Sequence, residues 1–268
     1  MKTAVFALIT AALTSTAAAV DRADVLAAGG CENCDLNLMT LREVNIKNAN
    51  FSGVIFREAD LKEAKLPGAN FKGADLRRTE FEKSVLTKAI FDGAQMRGID
   101  LEKCNLEEAS FLDGVDLRSA DMAGANLSKA QFTGADMRDA HLRRSDITDA
   151  NFSNTKLVKS DFERANGPRA NFSGSDLSGS DLSRIKVAGG SFRGANLRHT
   201  DLSHGDFRNT DLTDANLSYA IMRQTNFSGA NLEDVSGLSQ SRLDVACGDE
   251  NTRLPDGYTI KICSSSKY

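Results

Sequence analysis

From Leu36 to Leu232 the chain runs through forty five-residue steps, thirty-nine of them centred on an apolar residue, and most residues between are polar or small. The first phase runs Leu36, Leu41, Ile46, Phe51, Phe56 and onward to Phe111. One extra residue enters between Leu112 and Val115, and the count resumes at Leu117 and continues through Met122, Leu127 and Phe132 to Leu232. Only Gly167 breaks the series. A period of five fits neither the roughly 3.6 of a helix nor the roughly 2 of a flat strand. The chain therefore reads as a repeat protein in which the repeat is the fold.

The residue two before each centre is repeatedly small, as at Ala59, Ala64, Ala69 and Ala74, and the residue just before it is mostly Asn or Asp. Ala69-Asn70-Phe71, Ala74-Asp75-Leu76, Ala125-Asn126-Leu127 and Ala230-Asn231-Leu232 carry the pattern. This closely resembles the pentapeptide-repeat family. The resemblance implies an all-β fold, a right-handed quadrilateral β-helix with four pentapeptides per coil. In it the centre and the small residue two before it would point inward.

A second period supports four steps per coil on its own. Gly53, Gly73, Gly93, Gly134, Gly174 and Gly194 stand two after a centre, Gly114 does so allowing for the one-residue insertion, and Asn154 fills the one gap. Their spacing predicts one face that turns its corner on Gly, where a positive φ costs least. About ten coils at ordinary strand spacing would make a rod roughly 48 Å long.

Residues 1–19 read as a signal peptide: Lys2, an apolar stretch from Val5 to Leu13, and Ala17-Ala18-Ala19 before Val20. The apolar run is too short for a membrane span. Residues 20–34 then form an N-terminal cap, 35–235 the β-helix and 236–268 a C-terminal cap. The expected location is periplasmic or secreted. Cysteines agree, since Cys31 and Cys34 precede the first step while Cys247 and Cys263 lie in the tail, and such pairs staple caps in an oxidising compartment. Whether Cys31 bonds to Cys34 is open from sequence. Cys104 takes a small inward position and should be an inert thiol. Zinc at the C-x-x-C lacks a second ligand pair, and no thioredoxin-like pattern surrounds it, so no metal or cofactor is expected. Asp21 to Ala28 and Ser239 to Ala246 suggest capping helices, stopped by Gly29-Gly30 and Gly248.

Enzymatic machinery is absent from this reading. A core of Leu, Phe and Ala offers no deep pocket in which to tune an acid or base. His141, His199 and His204 assemble no nucleophile–base pair, and no phosphate-cradling Gly loop precedes a helix. Net charge is −4, or about −5 without Lys2, and there is no Trp, so neither overall charge nor aromatic anchors identify a partner.

Register exposes what net charge hides. Arg57, Arg77, Arg97, Arg118 and Arg138 form one column just after their centres; Arg144, Arg164 and Arg184, continued by His204, form a second on the neighbouring face. Asp75, Asp116 and Asp136 are expected to compensate the first, and Asp161, Asp181 and Asp201 the second. The columns either keep a regular β surface soluble or make a basic edge for an anionic envelope ligand or protein. The sequence points to a non-enzymatic scaffold or binding rod. The resemblance adds two alternatives: end-on pairing into a homodimer through the tail, and mimicry of duplex DNA to regulate or protect DNA gyrase. The second is disfavoured by the export signal and the Arg columns. Direct nucleic-acid binding lacks a basic surplus and a stacking platform.

Overall fold

The computed structural model describes residues 21–264, so the proposed signal peptide lies outside the described residues. The five-residue steps that carry Asp or Asn before the centre share one local form. The step around Leu61 illustrates it: Ala59, Leu61 and Ala64 are fully buried, and Ala64 N–H donates to Leu61 O at 3.2 Å to close a turn. Leu61 and Glu63 donate to Glu80 and Glu82 in the next coil at 2.7 and 2.9 Å, and Glu80 donates back to Ala59 at 3.0 Å. That leaves Lys62, whose N–H donates to Asp60 Oδ1 at 3.1 Å. All five amide roles of a step are thereby satisfied, and the side chain before the centre supplies the last acceptor. This explains the recurrent Asn or Asp: the same bond recurs from Asn37 to Asp35 and from Glu233 to Asn231.

Each strand is reduced to one bridge residue. Parallel bridges join residues 20 apart, from Gly30↔Asn50 to Asn216↔Ser236, on four sides of a solenoid. The spacing is 21 from Gln95↔Asp116 to Ser110↔Gln131, after which it returns to 20. The extra residue is absorbed in one corner, where Asp113 and Gly114 both take positive φ (57° and 73°) while Phe111 and Val115 stay buried. At Gly167 the missing side chain is replaced by Ile147, whose Cγ1 lies 2.3 Å from where a Cβ would stand.

Phe51, Phe71, Phe91, Phe111, Phe132, Phe152, Phe172 and Phe192 stand above one another on one side, with centroid separations of 4.5–5.4 Å and interplanar angles of 2–17°. Phe81 and Phe162 meet this column edge-on from the opposite side. Buried hydroxyls at the small inward position donate to backbone carbonyls, as Thr79 does to Phe56 O and Ser84 to Leu61 O, both at 2.8 Å.

The Gly face turns its corners at positive φ as expected, from Gly53 (63°) to Gly194 (65°), with Asn154 at 58°. The same left-handed backbone also occupies the other faces: Glu63, Lys83, Asn48, Arg144, Leu38 and Tyr219 all have φ of 53–62°. Every corner must turn the same way to keep the stacking register, so coil-to-coil hydrogen bonding overrides the roughly 1–2 kcal/mol cost of αL in non-Gly residues.

The ends are closed differently. Helix α1 (Arg22–Ala28) has an Asp21/Asp24 capping box and Gly29 at φ 69° as its C-cap, and it lays Val25 over the first coil. Helix α2 (Gln240–Leu243) follows Ser239 but stops at Asp244, short of the expected Ala246 and Gly248. The reason is pairing: Cys247 bridges Asn226, and Gly248 bridges Ile262, so those residues are extended. Cys31 is bonded to Cys34, and Cys247 to Cys263.

Candidate functional site

Column one occupies the first turn residue of successive corners. There the carboxylate before the centre does two jobs. Asp75 Oδ1 accepts Arg77 N–H at 3.4 Å and Arg77 Nε at 2.8 Å, while Oδ2 accepts Arg77 Nη2 at 2.7 Å. Asp116 holds Arg118 and Asp136 holds Arg138 with the same three bonds, and Asp206–Arg208 repeats the fork elsewhere. Bidentate guanidinium–carboxylate geometry is the strong form of this contact. Hydrogen bonding from Arg77, aided by Arg57 at 2.6 Å, holds the Asp75 carboxyl down to about 2 against desolvation. Arg118 and Arg138 lower Asp116 and Asp136 in the same way.

Arg97 departs from this scheme. Gln95 stands where the Arg77, Arg118 and Arg138 rungs carry Asp (the Arg57 rung has Ile55), and among the described residues the Arg97 side chain makes no hydrogen bond or ion pair, although its charge helps lower the Asp116 carboxyl. It lines a shallow groove of about 610 Å³ with Arg57, Arg77, Arg78, Gly98 and Ser119. Glu58 pairs with Arg78 at 3.0 Å at the rim. Sequence reasoning missed Arg78 and Gln95; the signal was the one interruption in the Asp75, Asp116, Asp136 series.

Column two does not follow the expected pairing. Arg144, Arg164 and Arg184, with His204, occupy the second turn residue and have positive φ, which directs them round the corner from the Asp column. Glu163 takes the place of those aspartates: it lies 3.6 Å from both Arg164 and Arg184 and also pairs with Arg143. Asp161 pairs with Arg143 at 3.5 Å, and burial nevertheless raises its pKa. Asp181 and Asp201 accept the amides of Ser183 and Ser203. The two columns occupy successive corners and overlap along the rod only where Arg138 and Arg144 share a coil, so they do not merge into one basic face.

Cys104 is buried, donates to Phe81 O at 2.9 Å, and has its thiol pKa pushed up to about 12 by desolvation. His199 stacks on the exposed Tyr219 at 4.8 Å. No cluster of three or more His, Cys, Asp or Glu that could hold a metal occurs among the described residues, and no helix there is long and apolar enough to cross a membrane.

Two family models match the chain. One described as pentapeptide repeats covers residues 145–184 and 191–229; one described as a pentapeptide repeat region covers 30–111 and 86–162. No curated protein matches. Among solved structures the chain is similar to HetL, a pentapeptide repeat protein involved in heterocyst differentiation regulation from the cyanobacterium Nostoc sp. strain PCC 7120. Identity is 24%, with 89% of this chain and 98% of that one covered and a TM-score of 0.31. It is also similar to QnrB1, a plasmid-mediated fluoroquinolone resistance protein, at 18% identity, 83% and 91% coverage, and a TM-score of 0.40. These likenesses concern the fold alone.

Proposed function

The chain belongs to the pentapeptide-repeat family and folds as its right-handed quadrilateral β-helix, and from that premise we propose that it is a non-enzymatic, exported rod that binds an anionic partner along its Arg-lined side. The observation that carries this reading is the first column, where the groove gathers four guanidinium groups beside Glu58 and the shared Asp75. A solenoid filled by stacked Phe places its chemistry on the corner side chains. Export is supported by the Lys2-to-Ala19 leader and by disulfides at both ends, which suit an oxidising compartment.

The test is a pull-down from periplasmic extract with protein starting at Val20, beside a variant with Arg77, Arg97, Arg118, Arg144 and Arg164 changed to Gln. A partner held by the native rod, released by salt and lost by the variant is the expected result. Equal retention by both refutes side-on binding through these columns. Recovery of gyrase from whole-cell extract by both proteins would favour the duplex-mimic alternative. Export is checked separately by fractionation and N-terminal sequencing, with Val20 as the expected first residue.

A further inference from the structure

We propose that Arg97 and the groove around it form a carboxylate-binding site whose ligand takes the position that Asp75, Asp116 and Asp136 occupy on the neighbouring rungs. The inference rests on the side-on reading above and narrows it from a column to one rung.

The protein carries the template for the ligand in its own corners. At Arg77, Arg118 and Arg138 one carboxylate accepts three donors: the backbone N–H of the arginine and two guanidinium nitrogens, at 3.2–3.4 Å for the amide and 2.6–2.8 Å for the guanidinium. At Arg97 the corner backbone is built the same way, with Gly98 N–H donating to Arg118 O at 3.0 Å and Ile99 N–H to Met96 O at 3.1 Å. What changes is Gln95. Its amide carries no charge, and it engages neither the Arg97 N–H nor its guanidinium. The donor set is therefore repeated while the internal acceptor is withdrawn.

Two further features suit an incoming carboxylate. Gly98 and Ser119 place little or no side chain at the corner, and a Cβ added at Gly98 would meet only Arg78 Cγ, at 3.9 Å, so the groove is open beside Arg97. Arg57, Arg77 and Arg78 surround it, each already committed to one carboxylate and each still partly exposed, so a ligand with more than one carboxylate gains a second contact. The planar fork selects a carboxylate by geometry, and the flanking positive charge draws it in.

The experiment follows backbone amide and arginine Nε–H signals by NMR at fixed ionic strength. The probes are acetate, citrate and a short Glu-rich peptide, with chloride as the matched control. Wild type should show shifts centred on the Arg97 N–H and Nε–H, with citrate or the peptide binding more tightly than acetate. Saturation by citrate points to a small polycarboxylate and preference for the peptide to an acidic protein segment. The decisive variant is Gln95→Asp, which removes no arginine and installs the residue the column already uses. It should close the fork internally and weaken binding by about tenfold or more, in line with loss of a charge-assisted contact. Arg97→Gln should do the same. Absence of shifts at Arg97 with every probe, or a Gln95→Asp variant that titrates like wild type, overturns the proposal. A pull-down partner lost by the five-Arg variant yet kept by Gln95→Asp would leave side-on binding standing and remove this site alone.

Discussion

Replacing Phe132 by Leu tests whether the aromatic column is held by stacking or merely by apolar volume. Phe132 is fully buried between Phe111 and Phe152, with centroids 4.5 and 4.7 Å away and ring planes within 7°. Leu is already a common centre, so Phe132→Leu keeps an apolar side chain in place. Phe81→Leu is the natural reference, because it removes the same volume but only one edge-on contact, to Phe71 at 5.7 Å. Aromatic pairs contribute about 0.5–1.5 kcal/mol beyond burial, so losing two rather than one should make Phe132→Leu costlier by about 1 kcal/mol. A double-mutant cycle of Phe132→Leu with Phe152→Leu should give a coupling of about 1 kcal/mol. Urea unfolding followed by far-ultraviolet circular dichroism measures both, provided the slope with denaturant is unchanged. Since repeats unfold segmentally, amide exchange at Phe111 and Phe172 should locate the loss to adjoining coils. A coupling below about 0.3 kcal/mol would refute stacking and leave volume as the only role.

Acidification should weaken the first column in a defined window. Asp75, held down to about 2, contributes stability that is complete above its ordinary carboxylate range and is lost as pH falls through 2; with Arg57 and Arg77 half exposed, the effect should be about 1 kcal/mol, and Asp75→Asn should remove that part of the acid dependence of the melting temperature. Cys104 should resist iodoacetamide at mildly alkaline pH in the native state and react only on unfolding, because burial raises its pKa to about 12; rapid native alkylation would contradict its placement. Changing both Cys247 and Cys263 to Ser opens a closure of sequence separation 16 and should cost about 3 kcal/mol, with exchange protection lost first in the C-terminal coil.

The core of this fold was legible because it obeys a single period: every centre and small inward position from Phe51 to Leu232 follows from counting fives, including the one-residue slip before Leu117. The corners were harder. The column from Gly53 to Gly194 marks only those turns where the least costly residue was used, whereas Glu63, Lys83 and Arg144 accept the same left-handed backbone because the coil-to-coil ladder demands it. Charge pairing divides by position. Residues just before and just after a centre flank one strand and converge, so Asp116 and Arg118 could be paired on paper. The second turn residue points round the corner, so Arg164 and Arg184 find Glu163 instead of an aspartate of their own face. Helix α2 ended early for a reason no local propensity contains, namely the pairing of Cys247 with Asn226.

The position before each centre therefore carries more than solubility. Because the turn fixes four of the five amides through backbone partners, the identity of that one residue decides whether the remaining N–H is satisfied internally or presented outward. An Asp followed two residues later by Arg ties both donors down, as at Asp136 and Arg138, and makes a stable, electrostatically quiet rung. Substituting Gln at position 95 leaves the backbone untouched, since Gln95 still bridges Asp75 and Asp116, yet releases a guanidinium and an amide together. A fold whose interior is filled coil by coil can thus acquire a recognition site through one exposed side chain, at little cost to the stack beneath it. The proposed site on this rod is a rung without an aspartate of its own, and Gln95→Asp tests that site while leaving in place the arginines that the column shares.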